Sequence, residues 1–526
     1  MNSTYAQSAS VDRLAREKTV VFATLGAMTT VLYFGTLHVR LFPARVLAPT
    51  ALDTAIPFVP LLVIPYLSFF LLVLLPLWLI SDRRELRDAA FGYGLIVVIS
   101  SLAFLFWPTA IPYSDVHPLT RGVVAVDLDG NAFPSLHASL GIYCALWAWR
   151  KLQTAAARNS LLVWTSLVVV SALLIKRHLA VDITGGVLLG WATAATLLRP
   201  DPAEAPDSEP VVETLRIRKN LARESSKEFV ALTRHDGRKR AGELAVFIAL
   251  ASAGMWVSIH ARSAGSAPLL AAGILVTAVA LNTFPLLMHE GMHGVLFVNR
   301  RWNWMASVLL GSTFLMSFSA YRVLHLRHHR YLGDPRDPDD YHNYSRSRSL
   351  VWCLHFVRLT MGPVLYVCLI PVLALKHGSL AQRKLIGIEY TLLAAIYSVL
   401  LRMFSSRELF VVWFVPLLLV GALTAIRGFT QHGITEASDP YLASRTMLPN
   451  PIVAFFLLNE NYHLEHHLFP EVPSYHLPEL HHLIWRRLPR AVSGTSYLAF
   501  LAAFLKATPR MDETPIGLVT PRERAS

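Results

Sequence analysis

The stretch Ala267–His293, APLLAAGILVTAVALNTFPLLMHEGMH, decides how this chain is read. Residues 267–288 are an apolar run long enough to cross a bilayer as a helix. The run ends on His289-Glu290-Gly291-Met292-His293. Positions i and i+4 share a helix face, so His289 and His293 leave the apolar run pointing the same way. Two further clusters repeat the pattern: His325-Leu326-Arg327-His328-His329 and His463-Leu464-Glu465-His466-His467. At i, i+3 and i+4, each can aim two or three imidazoles at one point. Neutral imidazole suits iron, zinc and copper. Eight such ligands exceed what one tetrahedral ion uses, so the count favours two metals.

Two other readings compete. Surface histidines beside lipid head groups would explain one cluster but not three, each next to apolar sequence. HEGMH also fits HExxH, in which two His bind zinc and Glu is the base of a metalloprotease. An intramembrane protease of that kind leaves both HxxHH clusters unexplained, and no third-ligand Asp motif follows in a later span.

Composition agrees with a membrane protein. The chain has 526 residues, of which 54% are hydrophobic and only 16% charged, against roughly 25% charged in soluble proteins. The balance of 48 Lys and Arg over 35 Asp and Glu gives +13. In a membrane protein this excess sets orientation and meets anionic head groups rather than nucleic acid. Three cysteines (Cys144, Cys353 and Cys368) form no CxxC pair and support neither a disulfide framework nor an iron–sulfur cluster. Of 21 histidines, 15 lie between His289 and His482.

Apolar runs predict six spans in the first half, near 19–37, 56–80, 89–107, 136–149, 160–176 and 180–198. The fourth and fifth are short. The polar start predicts no cleavable signal peptide. Runs resume near 242–259, 267–288, 302–320, 351–374, 386–402 and 409–426; the one at 302–320 carries Asn303 and several Ser and Thr, which fits an interfacial position. The expected organisation is a membrane domain at 1–199, a polar linker at 200–240, a second domain at 241–505 and a disordered tail at 506–526. The linker is acidic and Pro-rich, then basic; its second part reads either as an amphipathic helix on a membrane surface or as a solvated connection. Basic residues at Arg13, Arg16 and Lys18, at Arg83, Arg84 and Arg87, and at Arg150, Lys151 and Arg158 alternate consistently with a cytoplasmic N-terminus.

Residues 240–490 resemble the membrane fatty acid desaturase family. The resemblance rests on the HxxxH, HxxHH, HxxHH spacing, on HHRYLGDPRDPD after the second box and on NENYHLEHHLFPEVPSYHLPELHHLI around the third. It implies two iron ions held mainly by His, with O2 as co-substrate, removing two hydrogens from a lipid acyl chain. The box residues His289, His293, His325, His328, His329, His463, His466 and His467 carry over as metal ligands. His432, in RGFTQHG, stands where such proteins often supply another. His476, His481 and His482 do not match the ligand pattern. Asp337 and Asp339 read either as partners orienting a ligand His or as turn residues. No cytochrome b5 HPGG signature is present, so electrons must come from a separate donor of ferredoxin or cytochrome b5 type. Hydroxylases share these boxes.

A second chemistry appears in the first half. The loop Asn131-Ala132-Phe133-Pro134-Ser135-Leu136-His137 precedes the fourth run, and Lys176-Arg177-His178-Leu179-Ala180-Val181-Asp182 opens the sixth. His178 and Asp182 are i and i+4, so a carboxylate can hold one imidazole nitrogen and leave the other as a nucleophile. His137 can protonate a leaving group. Ser135 can equally be a helix cap, and His178 beside two cations can be an interfacial basic patch. FPSLHAS and HLAVDITGG resemble the PSxH and HxxxD motifs of the type 2 phosphatidic acid phosphatase superfamily, most closely its inositolphosphotransferase-like branch, over about 20–200. The resemblance implies a six-helix transmembrane bundle, His178 as the nucleophile forming a phosphohistidine, Asp182 orienting it, His137 as general acid and Ser135 on the phosphate. Ala172 stands where the family's Arg is usual, and the Lys-x6-Arg-Pro motif is absent; Arg121, Lys176 or Arg177 is then the expected phosphate clamp.

The expectation is therefore an all-α integral membrane protein of two halves: the six-helix bundle, then a desaturase-type helical domain with a cytoplasmic di-metal cap. It is read as a bifunctional enzyme acting on membrane lipids in a bacterial inner membrane, with the phosphatase-like site on the outer face. The alternatives are a desaturase or hydroxylase with a non-catalytic first half, the metalloprotease, and a transporter that binds no iron.

Overall fold

The computed structural model describes residues 2–38, 42–113, 117–126, 130–197, 207–436, 439, 441, 443–488 and 490–519. The chain divides into two compact units, Met1–Pro200 and Asp201–Ser526. It is an all-α integral membrane protein: among the described residues nine helices are long and apolar enough to cross a bilayer.

The first unit contains α1 (Asn2–His38), α2 (Phe69–Leu79), α3 (Arg83–Phe106), α4 (Leu136–Trp149), α5 (Ala155–Leu174) and α6 (Ala180–Leu197). Five of the six expected spans have membrane-crossing length. The fourth does not: α4 has 14 residues, about 21 Å of helix against a hydrocarbon core of about 30 Å. It is the centre of the unit, with Ser139, Leu140, Gly141 and Tyr143 buried on different sides, and it runs antiparallel to α5, whose far end brings His178 beside His137. Ser135 caps it, its Oγ accepting from Ala138 N at 3.3 Å. Helices α4 and α6 touch backbone to backbone. A Cβ on Gly186 would meet the Ser135 carbonyl, and one on Gly190 the Ser139 carbonyl. That approach requires glycine, and it brings the start of α6 to the start of α4. A two-residue parallel sheet joins β1 (Arg45–Val46) to β2 (Thr109–Ala110).

The second unit opens with α7 (Glu209–Glu224). This lies in the stretch read as a linker, and the difference has a simple cause. Val211, Ile217 and Leu221 form an apolar stripe on an otherwise polar helix, and Ile217 and Leu221 join Leu464, Leu468 and Phe469 in one core. Helix α8 (Gly237–Ser263), α9 (Ala267–Leu281) and α10 (Thr283–His293) follow. The run near 302–320 breaks into α11 (Arg300–Ser312) and α12 (Phe318–Tyr331), separated at Leu315, whose φ is 62°. Helix α13 (Arg348–His377) bends by 92° between Val364 and Tyr366, next to Pro363. Then come α14 (Leu380–Met403), α15 (Val415–His432), α16 (His463–Leu468) and α17 (Leu477–Ile484).

Part of the expected disordered tail is also ordered. Strand β5 (Leu518–Val519) pairs antiparallel with β4 (Val492–Gly494), which pairs parallel with β3 (Arg445–Met447). Arg445, 1% exposed, explains it. Its guanidinium needs several acceptors and finds them in the carbonyls of Thr430, Gly433, Ile434 and, from the tail, Ile516. Burial pushes this guanidinium down to about 9. Three of those carbonyls flank His432, so the strand fixes the end of α15.

Candidate functional site

The nine histidines expected as ligands come from four helix ends. Helix α10 supplies His289 and His293 and stops one residue later at Gly294, left-handed at φ 77°. A Cβ on Gly291 would collide with Ser307, so HEGMH needs glycine at its centre to lie against α11. Asn303 Nδ2 also donates to the Gly291 carbonyl at 2.8 Å. Helix α12 supplies His325, His328 and His329. His432 is the last residue of α15. Helix α16 supplies His463, His466 and His467.

These residues converge as two adjoining groups. One ligand nitrogen each from His289, His293, His325, His329 and His466 lies within 4.8 Å of the others, and His328, His432 and His467 form a second such set. His463 belongs with the second: its Nε2 is 2.8 Å from His432 Nε2 and 3.2 Å from His467 Nε2. In the first group His293 Nε2 is 2.8 Å from His325 Nε2. Two nitrogens bound at right angles to one ion, each about 2.1 Å from it, stand about 3 Å apart. The groups meet where His329 and His467 stack, with ring centroids 4.0 Å apart.

Three observations test whether the cluster fits metal ions. Buried ring nitrogens are normally hydrogen-bonded, yet His328 Nε2, His466 Nε2 and both nitrogens of His329 have no partner among the described residues. Burial first, then neighbouring imidazoles, holds His325, His329, His463 and His467 well below the usual imidazole range, so these rings are neutral and offer lone pairs. Carboxylates take outward-facing nitrogens. His289 Nδ1 lies 3.0 Å from Glu460 Oε1, and His328 Nδ1 lies 2.9 Å from Asp337 Oδ1. Such contacts fix the ring and leave Nε2 for a metal. The residues fit.

Around the cluster the expectations divide. Asp337 contacts a ring; Asp339 does not, accepting instead from Arg358 Nη2 at 3.1 Å. Glu290, the base in a protease reading, is tied to buried Arg240 and accepts from Ser474 N at 2.6 Å. His481 lies outside both groups, with its Nδ1 2.5 Å from Glu465 Oε1, while Thr446 Oγ1 donates to the other oxygen of Glu465. Sequence reasoning missed Glu460, whose partner is 171 positions away; the acidic residue three before His463 was the available signal. A cavity of about 330 Å3 reaches the cluster, lined by His289, His325, His328 and His463 and by apolar residues that include Phe314, Leu417 and Leu418.

In the first unit His178 and Asp182 are also brought together, less tightly. His178 Nδ1 is 3.7 Å from Asp182 Oδ2, longer than a hydrogen bond. Asp182 is fully buried, and its Oδ2 accepts from Leu179 N at 2.8 Å. Ser135 N donates to the Asp182 carbonyl at 3.0 Å, which joins the two motifs. The His137 ring sits 6.3 Å from the His178 ring, stacked on Tyr66 and against Phe69, each at 4.3 Å. Ala172 is packed in the core with Tyr66, Val169 and Ile183, and its carbonyl accepts from Arg177 N and His178 N. Lys176 donates from Nζ to the Asp53 carbonyl at 2.7 Å. Arg121 begins a short helix, Arg121–Val126, and is exposed; Arg177 is half-buried.

Comparison with known proteins agrees with this division. Residues 264–499 match the fatty acid desaturase family, and residues 89–203 match the PAP2 superfamily. The chain is 25% identical over 232 residues to a sphingolipid delta(4)-desaturase of Drosophila melanogaster, covering 40% of this chain and 66% of that protein. It is 28% identical over 214 residues to a sphingolipid delta(4)-desaturase of Xenopus tropicalis, covering 38% and 60%. It thus spans somewhat less than two thirds of the length of these relatives. One polypeptide carries a desaturase-family region and a PAP2-superfamily region.

Proposed function

We propose that the second unit desaturates a membrane lipid with O2, using two iron ions held by His289, His293, His325, His329 and His466 and by His328, His432, His463 and His467. The observation that carries this reading is the convergence of nine imidazoles in two groups beside a largely apolar cavity. The bound iron would supply the O2 activation needed to break two unactivated C–H bonds. The chain's own residues do the rest. Glu460 and Asp337 orient His289 and His328, and the apolar wall holds the chain and excludes water. The balance is –CH2–CH2– plus O2, two protons and two electrons giving –CH=CH– and two waters, so an external electron donor is required. The sphingolipid desaturases among the relatives favour a sphingolipid-like substrate.

For the first unit the proposal is lipid phosphate hydrolysis or transfer. His178 attacks phosphorus, Asp182 holds its ring, His137 protonates the leaving oxygen, and Ser135 with Arg121 or Arg177 binds the phosphate. A second reading, a non-catalytic first unit, is favoured by two observations: Lys176 is committed to the Asp53 carbonyl, and Ala172 replaces the usual Arg. Lipid mass spectrometry of a host expressing wild type, His466→Ala and His178→Ala separates these. Lipids lighter by two hydrogens and lost only in His466→Ala support desaturation; added oxygen instead identifies a hydroxylase. A head-group change lost only in His178→Ala supports phosphate chemistry.

The proposed location is a bacterial inner membrane, and the basic-loop pattern supports an orientation with the N-terminus and histidine boxes cytoplasmic and the His137–His178 site outside. Labelling Leu119→Cys and Arg346→Cys, in a background lacking the exposed Cys353 and Cys368, tests it. Modification of both from one side contradicts it.

A further inference from the structure

The cavity beside the histidines has polar donors that metal binding does not use. Arg358, 5% exposed, lines it and donates through Nη2 to Asp339 Oδ2 and to Tyr366 OH, both at 3.1 Å. Its Nε is buried without an acceptor. Arg427 lines the same cavity from α15, five residues before His432. Its carbonyl accepts from Thr430 Oγ1 at 2.7 Å, but its guanidinium makes no hydrogen bond or ion pair with any described residue, and its Nε is buried. Of the acids lining it, Glu460 is occupied through Oε1 by His289 and Asp339 through Oδ2 by Arg358.

A guanidinium withdrawn from water without an acceptor is costly. Two buried Nε–H groups without an acceptor, on Arg358 and on half-buried Arg427, border one cavity and define a place for acceptor oxygens. An acyl chain alone cannot satisfy them. We infer that Arg427 and the Nε of Arg358 receive the polar end of the lipid substrate through amide, hydroxyl or phosphate oxygens. This deepens the desaturase reading and rests on it. The cavity is only about 330 Å3, and His289, His325 and His463 bound the same space as Arg427. A lipid anchored there presents to the metal pair a carbon within a few bonds of its polar end, not one at mid-chain. Arg427 is thus an anchoring residue that sets where the chain is oxidised.

The test is direct binding to the iron-loaded full-length protein in detergent, which needs no electron donor. Three probes are compared: a saturated long-chain N-acyl amino diol, its phosphate monoester, and the straight-chain hydrocarbon of equal length. Wild type is expected to prefer one polar probe over the hydrocarbon by about tenfold or more. Preference for the monoester identifies a phosphate head; preference for the neutral probe identifies amide and hydroxyl oxygens. Arg427→Gln is expected to lose that preference while keeping its iron, and Arg427→Lys to restore part of it. Equal binding of the three probes, or an iron-loaded Arg427→Gln that keeps the preference, overturns the inference. Absence of iron from the wild type would instead sink the desaturase reading, since the binding comparison stands apart from it.

Discussion

The two units each bring titratable side chains together from helix ends, but they do so with different redundancy. In the second unit nine imidazoles converge, their outward nitrogens are held by Glu460 and Asp337, and Arg445 fixes the end of the helix carrying His432. In the first unit the pattern is minimal: one His and one Asp at 3.7 Å, a second His stacked on aromatic rings, and a nearby Lys already committed to a backbone carbonyl. A metal cluster needs many ligands in register, so the chain is constrained at many points. A phosphate site needs only a nucleophile, a proton donor and a cation, and here the cation is the weakest part.

The largest expected effects come from removing one side chain on each side of this comparison. His178→Ala should lower phosphate turnover by at least about a thousandfold, as loss of a nucleophile does, and leave desaturation intact; unchanged head groups would mean that the first unit is not catalytic. His466→Ala should remove more than about a hundredfold of the desaturated product without touching head-group chemistry. A parallel loss of both activities would show that the units do not work separately.

A smaller effect tests the support around the metals. Asp337→Asn should weaken iron binding by about 10- to 100-fold, measured by chelator competition. Asp339→Asn should do much less, because Asp339 contacts Arg358 rather than a histidine. Equal effects would erase that distinction. The smallest effect lies at the helix contact in the first unit. Gly186→Ala places a Cβ against the Ser135 carbonyl and should cost about 1–3 kcal/mol, read as a lower thermal midpoint in detergent with iron content unchanged.

What was legible in the sequence follows from how local each signal is. The box histidines are readable because i, i+3 and i+4 spacing is a property of one helix. His432 was readable only through family resemblance, since nothing within RGFTQHG repeats. Glu460 was hidden because its contact with His289 joins distant segments. Helix α7 shows its stripe in the sequence at Val211, Ile217 and Leu221, but not that Leu464 and Phe469 cover it. The ordered tail was hidden for a related reason: the Ile516 carbonyl matters only because buried Arg445 needs it. The fourth run was visibly short, and burial around Tyr143 and Cys144 explains how it is accommodated.

The most direct test of the central claim is metal analysis of the purified full-length protein. Two irons per chain in the wild type, with loss in both His466→Ala and His463→Ala, is the predicted result, since these residues belong to different groups. A single zinc retained in both variants would contradict it.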